Sequence, residues 1–259
     1  MKSKLISLLF PSLLILLATG CEEEVLTPAT ESALETYYPL ELNRPAYYRV
    51  DSIVLTPTVS GIRYDTARVE ARETLVETFV GADGALVFRG ERWERADESQ
   101  NFTFKQTFTV TRTATAVVRS EDNLSFTKLV LPLRDGVRWD GHTAFDASRD
   151  VAVGPEFLDV YNGWAYRYTN TGEQLTLPTG LQLDSVVTVD QAAIDNLIDL
   201  RSAYERYAPG RGLVERFLDA RHTQCRECCN GDTASCIDLP WDEKAEKGII
   251  IHQLLLRRE

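Results

Sequence analysis

Residues 65–95 read DTARVEARETLVETFVGADGALVFRGERWER and contain the clearest structural pattern in the chain. Side chains alternate with a period of two on both sides of Asp83 and Gly84, and Val, Thr, Phe and Trp are frequent. Such alternation is typical of strands with one face on a core, and Asp-Gly tolerates the positive φ of a tight hairpin turn. We therefore predict a β-hairpin with strands over 65–80 and 85–95.

The same alternation continues on both sides of this hairpin. Upstream, Tyr48, Val50, Ser52 and Val54 alternate with Arg49, Asp51 and Ile53. Downstream, we predict strands over 105–119, 125–133, 163–169, 181–189, 202–207, 212–218 and 248–257, with a turn at 121–123. Helical periodicity is scarce, and single helical turns are predicted only near 155–161 and 192–200. The predicted fold class is mostly β, a single antiparallel meander that forms a barrel-like or sandwich domain.

The start of the chain predicts export from the cytoplasm. Lys2 and Lys4 precede an apolar run over residues 5–17, which is too short to span a bilayer. The small residues before Cys21 resemble the lipobox of bacterial lipoproteins, in which the cysteine sulfur carries the lipid. This resemblance implies a signal peptide over 1–20, acylation of Cys21 with palmitate, and a place in the outer membrane. An ordinary secretory peptide followed by an unrelated cysteine is the alternative.

Residues 21–36 are acidic and poor in apolar side chains, and they predict a flexible tether between the lipid and one folded domain over 37–259. Glu22 to Glu24 also resemble the surface-export signal of lipoproteins from the Bacteroidota. A solvated spacer has the same composition, so both a periplasmic and a surface-exposed location stay open.

The charge balance excludes one class of partner. The chain carries a net charge of −11, and residues 1–20 contain two of its 28 basic residues and none of its 39 acids, so the exported form carries −13. Such a surface repels phosphates, whereas nucleic-acid binding needs a basic patch. We therefore predict no nucleic-acid partner.

Several segments spread over the exported chain resemble a group of uncharacterised lipoproteins of the Bacteroidota. The resemblance rests on Tyr37-Tyr38-Pro39-Leu40, on residues 47–53, 121–126 and 207–214, and on the closing Lys247-Gly248 strand. It implies a β-rich secreted domain and carries no activity or catalytic residues. Residues 209–212, Pro-Gly-Arg-Gly, are predicted to form a tight turn rather than a phosphate loop, because the residues after them have a strand pattern and not a helical one.

Four cysteines near the C-terminus form a compact group. Cys225, Cys228, Cys229 and Cys236 have the spacing C-x2-C-C-x6-C. Outside the cytoplasm this spacing indicates two disulfides that close a small loop. A bond between neighbours strains the backbone, so the favoured pairings are 225–229 with 228–236, or 225–228 with 229–236. A tetrahedral zinc site, with His222 as a substitute ligand, is the alternative, and a redox-active C-x2-C is less well supported.

Catalytic groups are hard to identify in this sequence. Each of the three histidines, His142, His222 and His252, has a structural explanation; for example, Asp140-Gly141-His142 has turn composition, and His252 lies on the face of a strand. The chain contains neither a G-x-S-x-G elbow nor an H-E-x-x-H pair, and no spacing singles out two carboxylates for glycoside hydrolysis. We predict no cofactor and no resident metal.

Aromatic residues in the middle of the chain are the remaining site candidates. Trp139, Trp164 and Tyr166, together with Tyr161 and Tyr168, can line a pocket that stacks a sugar or an apolar ligand. The alternative is that they form one strand face over the core.

Three functions remain open from the sequence. The first is a non-enzymatic lipoprotein anchored in the outer membrane that binds a small ligand or a protein partner. The second is an accessory subunit of an envelope secretion or transport assembly. The third is a hydrolase with an unrecognised carboxylate pair.

Overall fold

The computed structural model describes residues 32–259. The predicted signal peptide over 1–20, Cys21 and most of the tether lie outside the described residues. Residues 33–37 form the short helix α1 (Ala33–Tyr37), which Ser32 caps by accepting a hydrogen bond from the Leu34 amide. Leu34 is fully buried. The folded domain therefore includes residues 33–36, which the sequence assigned to the tether, because Leu34 provides an apolar anchor.

Fourteen strands and three further short helices follow α1 in the described chain. They are β1 (Ala46–Thr58), β2 (Gly61–Val80), β3 (Leu86–Arg95), β4 (Thr103–Arg112), β5 (Ala116–Glu121), β6 (Leu124–Val130), β7 (Arg138–Trp139), β8 (Val151–Val153), β9 (Glu156–Leu158), β10 (Tyr166–Thr176), β11 (Gln182–Asp195), β12 (Asp199–Ala208), β13 (Gly212–His222), α2 (Arg226–Cys229), α3 (Thr233–Cys236), α4 (Trp241–Lys244) and β14 (Lys247–Arg258).

Twelve strands form one antiparallel sheet that closes almost completely into a barrel. Its order is β6-β5-β4-β3-β2-β1-β14-β13-β12-β11-β10-β7. The first and last long strands are neighbours, with Val50 opposite Gln253. The sheet therefore extends in both directions from the β1–β14 pair. Its two edge strands, β6 and β7, are consecutive in the middle of the sequence.

The seam between these edges is joined by hydrogen bonds outside the strand ladders. The Thr127 amide donates to the Gly141 carbonyl over 2.9 Å. The Trp139 indole donates to the Thr127 carbonyl, and the Tyr168 hydroxyl donates to the Val130 carbonyl. These bonds satisfy edge groups that an open sheet leaves unpaired. Each of the barrel's edges is thus covered by the other.

Both ends of the barrel are covered by apolar side chains. At one end, Leu34 of α1 belongs to a core cluster that includes Phe108, Tyr168 and Tyr207. At the other end, the β8–β9 hairpin contributes Val153 and Leu158 to a cluster. Inward-facing residues in strands are spaced by two, so the long strands supply side chains along the interior of the barrel.

The structure confirms the predicted β class and corrects several details. Strand 105–119 is interrupted by a turn between β4 and β5, and the two predicted helical turns are wrong. Residues 155–161 contain β9, and 192–200 contain the ends of β11 and β12. Cross-strand pairing outweighs helix propensity in these segments. Within the described range, the helices are too short to cross a membrane.

Candidate functional site

The barrel encloses a cavity of about 700 Å³ between its middle and the end covered by the β8–β9 hairpin. One side of the cavity is aliphatic, with Leu218, Ile249 and Ile251 from β13 and β14. The exposed residues Lys105 and Asp122 mark where it meets solvent. The cavity is therefore a recess with an apolar wall that small molecules can reach.

The floor of the cavity belongs to a layer of buried and partly buried ionic groups that crosses the barrel, and six of its eight members line the cavity. We call this group the ionic layer. It consists of eight side chains in which acids and bases alternate through direct contacts: Glu94, Arg92, Glu73, Arg119, Glu121, Arg216, Glu205 and Lys128. Four negative and four positive charges balance within the layer.

Glu205 is the most enclosed carboxylate of the ionic layer, at 1% exposed. It accepts hydrogen bonds from the Lys128 ammonium and the Arg216 Nε, each over 2.8 Å, and from the Tyr207 hydroxyl over 2.7 Å. Burial by itself raises the pKa of Glu205, but the charges of Lys128 and Arg216 outweigh burial and hold the pKa at about 2. Glu205 is therefore ionised at neutral pH.

The other carboxylates at the centre of the layer behave in the same way. Burial opposes ionisation of Glu73 and Glu121, yet the Arg119 guanidinium lowers the pKa of both, assisted by Arg92 at Glu73 and by Arg216 at Glu121. A general acid in glycoside hydrolysis needs a raised pKa, so that it holds a proton to donate. These carboxylates have the opposite property, which disfavours the hydrolase alternative.

Two amide side chains beside the ionic layer have spare hydrogen-bonding capacity. Gln191 and Gln253 line the cavity and are 3% and 2% exposed. The Gln253 carbonyl accepts a hydrogen bond from Arg92 over 3.1 Å. The side-chain nitrogen of each glutamine has no hydrogen-bond partner among residues 32–259. Buried donors are normally paired, so both are notable beside a cavity.

The aromatic candidates lie at one side of the cavity and at the seam. Trp164 and Tyr166 line the cavity, as does Tyr161. Trp139 does not line it: its indole bonds to the seam carbonyl of Thr127, and its ring packs 4.6 Å from that of Tyr168. Trp164 and Tyr166 thus line the cavity together, whereas Trp139, whose ring centroid lies 5.7 Å from that of Tyr166, is placed at the seam.

His142 occupies the centre of this aromatic side. Its ring centroid lies between 5.0 and 5.7 Å from the rings of Phe126, Phe145, Tyr161, Trp164 and Tyr166. Burial lowers the pKa of His142 to about 4. The Asp140 carboxylate opposes this shift, whereas the Lys128 charge lowers the pKa further. His142 is therefore neutral at pH 7. The sequence predicted the turn at His142 correctly but not its burial.

The other two histidines form pairs away from the cavity. His252 Nε2 lies 2.7 Å from a Glu215 carboxylate oxygen, and His222 Nδ1 lies 2.9 Å from one of Asp199. His252 lies in β14, on the face opposite to Ile251 and Gln253, which line the cavity. It is thus a strand residue, as the sequence predicted.

The cysteine group departs from both favoured pairings. The disulfide joins Cys225 to Cys236, and Cys228 and Cys229 are free thiols. Cys225 and Cys236 are fully buried, whereas Cys228 is exposed, so the pair that lies inside the fold is the one that bonds. The sulfurs of Cys225, Cys228 and Cys236 lie within 4.8 Å of one another. Zinc binding there requires thiolates, so this disulfide must first be reduced.

Sequence reasoning missed the ionic layer, although its positions follow the strand alternation. Arg92 and Glu94 share the face of Phe88 on β3, which is the inward face. Charged residues are normally assigned to the solvated face. The spacing by two that places Arg92 and Glu94 on the same face as Phe88 was the signal from which the inward position of these charges could have been predicted.

No family model matches this chain, and no curated protein shows significant similarity to it. The function is therefore inferred from the barrel and its cavity.

Proposed function

We propose that this protein is a non-enzymatic lipoprotein of the outer membrane whose barrel binds a small, partly apolar ligand. The observation that carries the proposal is the cavity of about 700 Å³, with an aliphatic and aromatic wall over the ionic layer. Ligand sites generally measure about 300–1,000 Å³ and combine apolar walls with a few fixed polar groups. The cavity fits this description.

The charges of the cavity restrict the class of ligand. The ionic layer balances four acids against four bases, and its central carboxylates are each held by two cations. A ligand with a strong net charge finds no uncompensated partner in this layer. A neutral or zwitterionic molecule with an apolar body avoids that penalty, because its body covers the wall and its polar end meets the floor.

The accessory-subunit alternative has less support. Assembly through a sheet requires an exposed strand edge that pairs with another chain. In the part of the chain that the structure describes, the two edges of the main sheet face each other across the seam, through the Thr127 and Trp139 bonds.

A matched pair of substitutions tests ligand binding in the cavity. Ile251 lines the cavity, whereas its neighbour Ile250 is on the opposite face of β14 and lines an outer groove. We expect the neutral fluorescent probe N-phenyl-1-naphthylamine to gain fluorescence with the wild-type protein. Because an indole occupies part of the cavity, Ile251→Trp should weaken the affinity about tenfold or more.

The Ile250→Trp variant is the control and should bind the probe like the wild type. Circular dichroism establishes that both variants fold. The proposal is wrong if the folded wild type gives no fluorescence gain, or if Ile251→Trp binds as tightly as Ile250→Trp.

Lipid attachment is tested separately at Cys21. In a bacterial host that processes lipoproteins, the wild-type chain should incorporate labelled palmitate and sediment with outer membranes. Cys21→Ser removes the sulfur that carries the lipid in this proposal. Each methylene of an acyl chain that is buried in the membrane contributes about 0.8 kcal/mol to anchoring. We therefore expect the variant to lose the label and enter the soluble envelope fraction.

The control for this experiment is Cys229→Ser, which leaves the proposed lipid site intact and should stay labelled and membrane-bound. Equal labelling of Cys21→Ser and the wild type would contradict lipid attachment at Cys21.

A further inference from the structure

The free thiols Cys228 and Cys229 lie in near contact on the surface of the cysteine loop. Their sulfurs are 3.2 Å apart, and the Cys228 sulfur is 3.6 Å from that of Cys236. Cys228 is exposed and Cys229 is partly exposed. The two thiols are thus accessible from solvent and close to each other, outside the barrel cavity.

The backbone that carries the two thiols is held in place from outside the loop. One oxygen of the Glu246 carboxylate accepts hydrogen bonds from the Glu227 and Arg226 amides, and the other accepts from Gln224 over 2.8 Å. The buried Cys225–Cys236 disulfide closes the same loop. Two independent attachments therefore fix the segment before and after the thiols.

We propose that Cys228 and Cys229 form an exposed redox couple that reacts with external disulfides. The thiolate of one cysteine attacks a sulfur of an external disulfide RSSR, forms a mixed disulfide and releases one RS⁻. The other cysteine loses its proton and attacks the mixed disulfide, which closes the Cys228–Cys229 bond and releases the second RS⁻. Two protons from the protein thiols balance the two thiolates released, and RSSR is reduced to two RSH.

The strain of a bond between sequence neighbours suits a reversible couple. A ring that contains the intervening peptide bond departs from the usual disulfide geometry, and strained, exposed disulfides are more easily reduced than relaxed buried ones. The Cys225–Cys236 bond is buried and spans a longer loop, so it serves as the structural disulfide. The couple and the structural bond thus differ in exposure and in loop size.

Peptide mapping tests the connectivity directly. The purified full chain is oxidised with glutathione disulfide, alkylated and digested with trypsin and Asp-N, which cut after Arg226 and before Asp232. The proposal predicts a free peptide of residues 227–231, two hydrogens lighter than its dithiol form and carrying no alkyl label. Residues 222–226 and 232–237 should remain linked through Cys225 and Cys236.

Single variants test the two-step chemistry. In Cys228→Ser and Cys229→Ser the second attack is impossible, so each variant should retain one glutathione on residues 227–231, whereas the same wild-type peptide should retain none. The proposal is overturned if residues 222–226, 227–231 and 232–237 form one linked species. It is also overturned if residues 227–231 of the wild type keep bound glutathione or two alkylated thiols after oxidation.

Discussion

Replacing Glu205 by glutamine is expected to lower the free energy of unfolding by about 3–5 kcal/mol, because it removes one member of a buried ionic group and leaves its partners uncompensated. The substitution keeps the shape of the side chain but removes the charge that faces Lys128 and Arg216. The Lys128 side chain is only 5% exposed, so water cannot replace the lost carboxylate. Urea unfolding followed by tryptophan fluorescence measures the change.

A matched substitution at an exposed position of β2 separates burial from the loss of an ion pair. Glu77 pairs with Arg89, but its side chain is 56% exposed. Glu77→Gln should change the stability by only about 0–1 kcal/mol, because solvent screens exposed pairs. Equal losses in Glu205→Gln and Glu77→Gln would show that the ionic layer is not a low-dielectric network.

The double variant Glu205→Gln, Lys128→Met adds a second test of the layer. It removes the charges of both partners and leaves Arg216 in contact with Glu121. Much of the stability lost in Glu205→Gln should return, since the penalty comes from an unpaired buried charge and not from the absence of the pair. A double variant no more stable than the single one would contradict this account.

The second large effect is a loss of stability in weak acid, which we assign to His142. In the unfolded chain a histidine binds a proton below a pKa of about 6.5. In the folded protein burial lowers the pKa of His142 to about 4. Between these values the unfolded state binds more protons, so stability is complete above about pH 6.5 and falls as the pH decreases. At about 1.4 kcal/mol per pKa unit, the loss approaches about 3 kcal/mol near pH 4.

Replacement of this histidine isolates its contribution from that of the carboxylates. His142→Phe keeps a ring among Phe126, Tyr161 and Trp164 but cannot bind a proton. Urea unfolding at a series of pH values from 7 to 4.5 should therefore show a much smaller decline for this variant than for the wild type. His252→Phe, which changes a partly exposed histidine on the outer face, should retain the wild-type decline. An unchanged decline in His142→Phe would assign the acid sensitivity to other groups.

Local features of the fold could be predicted from the sequence because they depend on neighbouring residues. Gly84 has φ of 83° in the predicted β2–β3 turn, and Asp122 and Asn123 have φ of 52° and 60° in the predicted turn before β6. Such residues adopt positive φ at low cost whatever the rest of the chain does.

Features that depend on distant residues were harder to predict. The favoured cysteine pairings were wrong because spacing says nothing about which sulfurs the fold buries, and Cys225 and Cys236 are the buried pair. Trp139 lies beside Tyr166, with ring centroids 5.7 Å apart, but it does not line the cavity, and its indole bonds to Thr127 across the seam. Both features depend on a partner supplied by another element.

The sequence by itself determined that this chain is a mostly β protein with hairpin turns at Asp83-Gly84 and Asp122-Asn123, because side-chain alternation and turn conformations are local properties. Only the tertiary structure decided that β1 and β14 pair, that the edges meet at a seam, and that eight charged residues form one neutral layer under a cavity. Residues such as Glu73 and Arg119 lie on separate strands, and a charge has the same appearance in a sequence whether it faces solvent or an ion partner. Closing the barrel brings those charges together, and their contacts make a polar floor stable beneath an apolar wall.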